Sequence, residues 1–289
     1  ISPHTGNSEI LAPTVEGSPA PKSLSVAALK DRGFEKIPSY GVEPIDVPGT
    51  VAGWMTLHER FGKLPLEEVM APAIRYAEEG YPVTPNISRL WQEAFENYSK
   101  YRDRSEFQGW FDTFAPNNTW LKPGEMFRCP DMAKTLREIA ATKGESFYRG
   151  AIAEKIDAFF KKHNGFLTKE DLAAFKPEWV DPISVNYHGV DVWELPPNGH
   201  GITVLMALQI LKAMKLAERD CADTMHKQIE AMKLAMVDTA QYVAEPSYMK
   251  VSDDQLLSEK YAAKRRALIN DQAIMPEPGE PGCPSTVYF

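Results

Sequence analysis

Apolar residues at Leu66, Val69, Met70, Ala73, Ile74 and Ala77 recur at the spacing of one helix face. They predict a helix that opens at Pro65, where proline suits the first turn, and stops at the breaker Gly80. The same reading predicts helices over Thr50 to Arg60, Asn86 to Lys100, Pro130 to Thr142 and Tyr148 to His163, and a brief one near Leu24 to Asp31. In GFLTKEDLAAF, Thr168 is placed to cap a short helix, with Asp171 three residues on. The period then switches to two. PISVNYHGVDVWEL predicts two short strands joined at Tyr187-His188-Gly189. ITVLMALQILKAM is apolar nearly all round and predicts a buried helix. Asp223 is a candidate cap for the next helix, in which Met225, Ile229, Met232 and Met236 step by four, three and four. A last, more polar helix is expected over Asp253 to Ile269.

Between these lie stretches without a period. Residues 1–48 are rich in proline and glycine and read as a short hairpin, with Thr5-Gly6-Asn7 as its turn, followed by loops. Residues 101–128 read as a polar, aromatic loop, and PEPGEPG, from Pro276 to Gly282, is a flexible linker by composition. The final residues, Thr286-Val287-Tyr288-Phe289, open a β-branched, aromatic strand that has no room to continue. The first residues read as a strand entered midway, without an initiating methionine. The expectation is a mainly helical middle segment of a longer protein, whose apolar helix faces, notably around Ile202 to Met214, need a partner chain to cover them.

Composition narrows the function classes. The 289 residues are 43% hydrophobic and 25% charged, ordinary for a globular chain. A net charge of −8 argues against a nucleic-acid surface, since little here would neutralise a run of phosphates. No apolar stretch approaches the roughly 20 residues that span a bilayer, so no membrane role is expected. Cys129, Cys221 and Cys283 are odd in number and widely spaced, which is neither a disulfide framework nor a metal pattern. That favours a reducing, cytoplasmic compartment over a periplasmic or extracellular one.

The usual catalytic signatures are missing from the sequence: no G-x-G-x-x-G, no P-loop and no H-E-x-x-H occurs. Gly199-His200-Gly201 precedes a helix and reads as a tight turn more than as an anion site. Lys264-Arg265-Arg266 and the carboxylate pairs Glu67-Glu68 and Glu78-Glu79 read as solvated helix faces, and His163, His188 and His226 as surface or packing residues. Thr286 stands apart. If the Ser285–Thr286 bond were broken, Thr286 would present a hydroxyl beside its own α-amine, with an ordinary pKa of about 7.7–8.0. Nucleophile and general base would then come from one residue. The residues alone also fit a plain strand start.

A resemblance separates the two. PGTVAGWMTLHERFGKLPLEEVMAPAIRYAEEGYPV, FYRGAIAEKI, GFLTKEDLAAFKPEW, YHGVDVWELPPNGHGITVLMALQIL and HKQIEAMKLAMVDTAQYVAEPSYM resemble, in order, the large subunit of the γ-glutamyltranspeptidase family of N-terminal-nucleophile hydrolases. The resemblance implies an α+β protein, the mainly helical large-subunit portion of an αββα fold. Residues 1–285 would be that portion, with its N-terminal part missing, and residues 286–289 the start of the small subunit. It implies a zymogen that cuts itself at Ser285–Thr286, with Thr286 then the catalytic nucleophile acting through an acyl-enzyme. The implied partners are the small subunit of the same precursor, which carries the oxyanion-hole donors, and a small amide or γ-glutamyl substrate. No metal or other cofactor is implied, and the segment alone should be inactive.

Two departures bear on the substrate. Family members that recognise a γ-glutamyl group carry an Arg whose guanidinium pairs with the substrate carboxylate. Here Pro19, in EGSPAP, stands at that Arg position, and the bidentate clamp is lost. ELPPNGHG also resembles the acylase- or amidohydrolase-like branch more than the glutathione-processing one. Glutathione metabolism by transpeptidation is therefore weaker than amide hydrolysis as an expectation. The alternatives are a non-catalytic helical interaction or scaffold protein, and an inactive member that folds but never cuts itself.

Overall fold

The computed structural model describes residues 13–14 and 20–282. Pro19, Ser285 and Thr286 lie outside the described residues, as do the turn at Thr5-Gly6-Asn7 and the strand expected from Thr286. The chain divides into two compact units, one of residues 18–177 and one of residues 1–17 with 178–289. To the second belongs β1 (Pro13–Thr14).

The 18–177 unit is built from helices. α1 (Val26–Asp31) is capped by the Ser25 hydroxyl, which accepts from the Ala28 N–H. α2 (Thr50–Phe61) is held at its start by Tyr148, whose hydroxyl accepts from Ala52 N–H at 3.0 Å and donates to Pro48 C=O at 2.8 Å. α3 (Leu66–Glu79) ends at Gly80, whose φ of +93° a β-carbon would strain. β2 (Tyr81–Pro82) leads into α4 (Pro85–Ser99), capped by Thr84.

Residues 101–128, expected as an open loop, instead hold a single 3-10 turn at Ser105–Phe107, α5 (Gln108–Phe114) and β3 (Met126–Phe127), which pairs antiparallel with β2. The cause is tertiary. Phe107, Phe111 and Ala115 are buried against Phe95, Tyr98, Tyr101 and Trp110, with Tyr98 stacked on Trp110 at 4.5 Å between ring centres. Aromatic clustering supplies what periodicity lacked.

α6 (Pro130–Thr142) packs along α3. The helix expected over Tyr148 to His163 is two, α7 (Glu145–Arg149) and α8 (Ala151–Lys162). Gly150 breaks it: the chain packs so closely there that a β-carbon would meet Ser146 Cα at 2.9 Å, and the Ser146 hydroxyl accepts from Ile152 N–H instead. α9 (Lys169–Ala174) has the expected capping box, Thr168 accepting from the Asp171 N–H and Asp171 from the Thr168 N–H.

In the other unit β1 pairs antiparallel with β4 (Glu178–Trp179). β5 (Ile183–Tyr187) pairs with β6 (Val190–Glu194) through the two-residue turn His188-Gly189, both at positive φ (51° and 88°) as a tight primed hairpin turn requires. α10 (Gly201–Leu211) follows, and its Ile202, Leu205, Met206, Ile210 and Leu211 are all buried. α10 is buried, as its all-round apolar pattern predicts, but the expectation that a partner chain must cover it is corrected: α11 (Ala222–Tyr242), a later helix and β5 pack on it. The apolar surface lies on α11 instead, where Met225, Ile229, Met232 and Met236 form the outward stripe and Ile229 and Met236 are more than half exposed. Asp223 does not cap α11. The Cys221 sulfur does, and Asp223 pairs with Lys227 one turn on at 2.7 Å.

The last predicted helix is also two, α12 (Asp253–Leu256) and α13 (Glu259–Arg266). Ser258 interrupts it because its hydroxyl accepts from the Tyr261 N–H and caps a second helix. Among the described residues no helix is long and apolar enough to cross a membrane.

Candidate functional site

In the chain, Thr286 and Ser285 follow residues 274–282, whose backbone is held by a buried polar network. On α11 the row Glu230, Leu234, Asp238 and Tyr242 steps by four, so all four side chains share one face. Glu230 (1% exposed) and Asp238 (0%) are carboxylates at core positions. They stay buried because they accept from main-chain N–H groups of the approaching segment. Glu230 Oε2 takes the Ile274 N–H at 3.3 Å, and Asp238 Oδ1 takes the Gly279 N–H at 2.8 Å. Tyr242 completes the row, its hydroxyl donating to the Gly279 C=O. Both polar groups of Gly279 are therefore held by α11.

The break at Ser258 gives α13 its part. Tyr261 and Arg265, one turn apart, point into the same place and are 2% and 4% exposed. Arg265 Nη2 donates to Glu277 C=O at 2.9 Å, and its Nε lies 2.9 Å from Asp238 Oδ2. That N–H does not point along the line of contact, so the pair is held by charge more than by a directional bond. From α12, Gln255 Nε2 donates to Gly282 C=O while its Oε1 accepts from the Ser252 N–H. The expectation of a flexible linker is corrected: side chains from three helices grip its backbone.

Gly279 is where the fit is tightest. A β-carbon there would lie 2.5 Å from the Tyr261 hydroxyl and 2.9 Å from Arg265 Cδ, so only glycine passes between them. The lengths also agree. Glu230 to Asp238 spans about 12 Å of helix at 1.5 Å per residue. The five steps from Ile274 to Gly279 reach at most about 17 Å extended, enough to run the segment along α11 between those two carboxylates.

Electrostatics follow from burial. Desolvation pushes the Asp238 carboxyl up from its ordinary value, opposed by the Gly279 N–H, the Tyr261 hydroxyl and the Arg265 guanidinium. Burial and the Asp238 charge drive the Tyr261 hydroxyl far above the usual phenol range, so it stays protonated. The hydrogen bond from Lys233 holds Glu230 below the ordinary carboxyl value, against desolvation. The network brings no nucleophile beside a base. What it can do is fix a peptide segment.

Sequence reading missed every one of these residues. Arg265 belongs to the Lys264-Arg265-Arg266 cluster expected on a solvated face, yet it is buried, and Arg266 donates to the Ile210 and Gln209 carbonyls. The available signal was the i+4 row itself, in which the carboxylates Glu230 and Asp238 alternate with Leu234 and Tyr242 on α11. Elsewhere, a cleft of about 650 Å³ in the 18–177 unit is lined by His58, Glu59, Glu67, Lys143 and Glu145. Its charges are mixed, His58 is engaged with Leu64 C=O at 2.8 Å, and Glu145 is bound by Arg149. It offers no comparable construction.

Comparison with known proteins gives these residues a context. The family model for γ-glutamyltranspeptidase matches residues 13–288. A glutathione hydrolase proenzyme of Pseudomonas aeruginosa is 33% identical over 265 residues, covering 89% of this chain and 46% of the relative. An acylase ACY 1 proenzyme of a Pseudomonas species is 32% identical over 232 residues, covering 79% of this chain and 40% of the relative. Among solved structures, cephalosporin acylase from Bacillus halodurans is 53% identical with a TM-score of 0.88, covering 91% of this chain and 49% of that one. The γ-glutamyltranspeptidase of Helicobacter pylori is 29% identical with a TM-score of 0.74, covering 84% of this chain and 69% of that one. The chain spans about half the length of the curated relatives it matches. Its helix-rich described residues match the large-subunit portion of the γ-glutamyltranspeptidase fold.

Proposed function

The chain belongs to the γ-glutamyltranspeptidase family, and on that premise we propose that it is the large-subunit portion of a self-processing amide hydrolase whose nucleophile is Thr286. The observation that carries this reading is the family match, which runs through Ser285–Thr286 to residue 288. Relatives named as proenzymes, among them the glutathione hydrolase and the acylase, support self-processing.

In the precursor the Thr286 hydroxyl attacks the Ser285 carbonyl carbon. The C–N bond breaks, the nitrogen takes up the proton, and Ser285 is left as an ester on the Thr286 oxygen. Water then hydrolyses the ester, giving a Ser285 carboxylate and a free Thr286 amine and hydroxyl. In the mature enzyme that amine takes the hydroxyl proton as the oxygen attacks an amide carbonyl. An acyl-enzyme forms, the amine of the substrate leaves with a proton, and water releases the acid. Donors to the developing oxyanion would come from the partner subunit that begins at Thr286.

For the substrate, an acyl group other than γ-glutamyl is the better-supported class. Pro19 stands at the family's Arg position, which removes the fork that would clamp an α-carboxylate. The 53% identity to a cephalosporin acylase, against 29% to a γ-glutamyltranspeptidase, points the same way. The test is a comparison of γ-glutamyl-p-nitroanilide with glutaryl- and other acyl-p-nitroanilides on the mature full-length product. Faster turnover of the simple acyl compounds is expected, and a preference for the γ-glutamyl compound would overturn the assignment.

A further inference from the structure

We propose that the buried Asp238–Arg265–Tyr242 network around Gly279 is the positioning device for self-cleavage, holding the approach to Ser285–Thr286 in place while the bond is broken. The inference rests on the reading of Thr286 as the self-processing nucleophile and adds residues that act on that reaction without touching its atoms.

An attack by a side chain on the carbonyl of the preceding residue is intramolecular, so its rate depends on how well the main chain is held in the reactive shape. A composition of PEPGEPG would leave that shape to chance. Instead Gly279 is fixed through both its N–H and its C=O, Glu277 through its C=O by Arg265, and Gly282 through its C=O by Gln255. Ser285 follows Gly282 by only three positions, so little chain separates the bond to be cut from a fixed point. The ordering of residues 274–282 is supplied by folding and need not be found again at the moment of reaction. Burying a carboxylate and a guanidinium to hold one glycine is otherwise a poor way to stabilise a core, since apolar residues of the same volume do as well or better. The charges make sense where a main-chain position, not only stability, has to be specified.

The experiment follows cleavage of the full-length precursor by intact mass, with time, after refolding. The variants are Tyr242→Phe, which removes a single hydroxyl, and Gly279→Ala, which forces Tyr261 and Arg265 apart. Leu211→Ala, buried in the same unit and making none of the tether's hydrogen bonds, controls for loss of stability. Thermal midpoints are read in the uncut Thr286→Ala background. Because misplacing a reacting group by about 1 Å can cost 100-fold, each tether variant should cleave about tenfold or more slowly at temperatures where it remains folded. Leu211→Ala should lose more stability than Tyr242→Phe yet cleave at the wild-type rate. Wild-type cleavage with Tyr242→Phe and Gly279→Ala cutting as fast as wild type would overturn the positioning role alone. Cleavage slowed only in proportion to lost stability, Leu211→Ala included, would also overturn it. A wild-type precursor that stays whole would overturn the Thr286 reading itself, and this inference with it.

Discussion

At Asp238 one carboxylate meets three demands: it accepts the Gly279 N–H, faces the Arg265 guanidinium at 2.9 Å and lies beside the Tyr261 hydroxyl, with no exposure to water. Removing one side of such a pair leaves the other charge buried without compensation. Asp238→Ala should therefore cost about 3–5 kcal/mol, measured by urea unfolding, whereas Tyr242→Phe should cost about 0.5–1.5 kcal/mol for one hydrogen bond. Glu230 gives a pH test. Its folded pKa is lowered by Lys233, so its contribution is complete above the ordinary glutamate value of 4.5 and disappears as pH falls through the lowered folded value. The stability difference between wild type and Glu230→Gln should be constant near neutral pH and vanish on acidification. A difference independent of pH would show that the Glu230 charge carries nothing. These residues were hard to find in the sequence because charge at a core position looks the same, on paper, as charge on a surface. Lys264-Arg265-Arg266 reads as one solvated run, yet Arg265 and Arg266 turn inward once Ser258 restarts the helix.

Helices with a clear face were legible, since periodicity reports burial directly. α3, α6 and the capping box of α9 stand where the pattern puts them, and so does the hairpin turn at His188-Gly189. What the pattern could not carry were contacts set by distant residues. The aromatic cluster that organises Phe107 to Phe114 has no local period, and the break at Gly150 comes from its close approach to Ser146. For α10, apolar all round, the sequence showed burial without saying by what. α11, α13 and β5 cover it, and on α11 the stepping methionines and Ile229 lie outside while Ala231, Leu234, Ala235 and Asp238 lie inside. Leu234 and Leu205 are both fully buried, so either Leu→Ala change should cost about 2–5 kcal/mol in urea unfolding. On the outward stripe Met236→Ala should change stability by less than about 0.5 kcal/mol. A large loss there would mean that the stripe is covered.

At the scale of the whole molecule, a helical, large-subunit architecture meets the cleavage proposed at Ser285–Thr286. Residues 274–282 are the bridge between the two: their backbone is fixed by α11, α12 and α13, and they run toward Ser285–Thr286. On the reading proposed above, Thr286 cuts the chain before itself. The most direct test is the intact mass of the purified full-length product beside a Thr286→Ala version. Two pieces divided at Ser285–Thr286 are expected in the first and one uncut chain in the second. A single uncut chain in both, from protein that is folded, would contradict it and leave a family member without its catalyst.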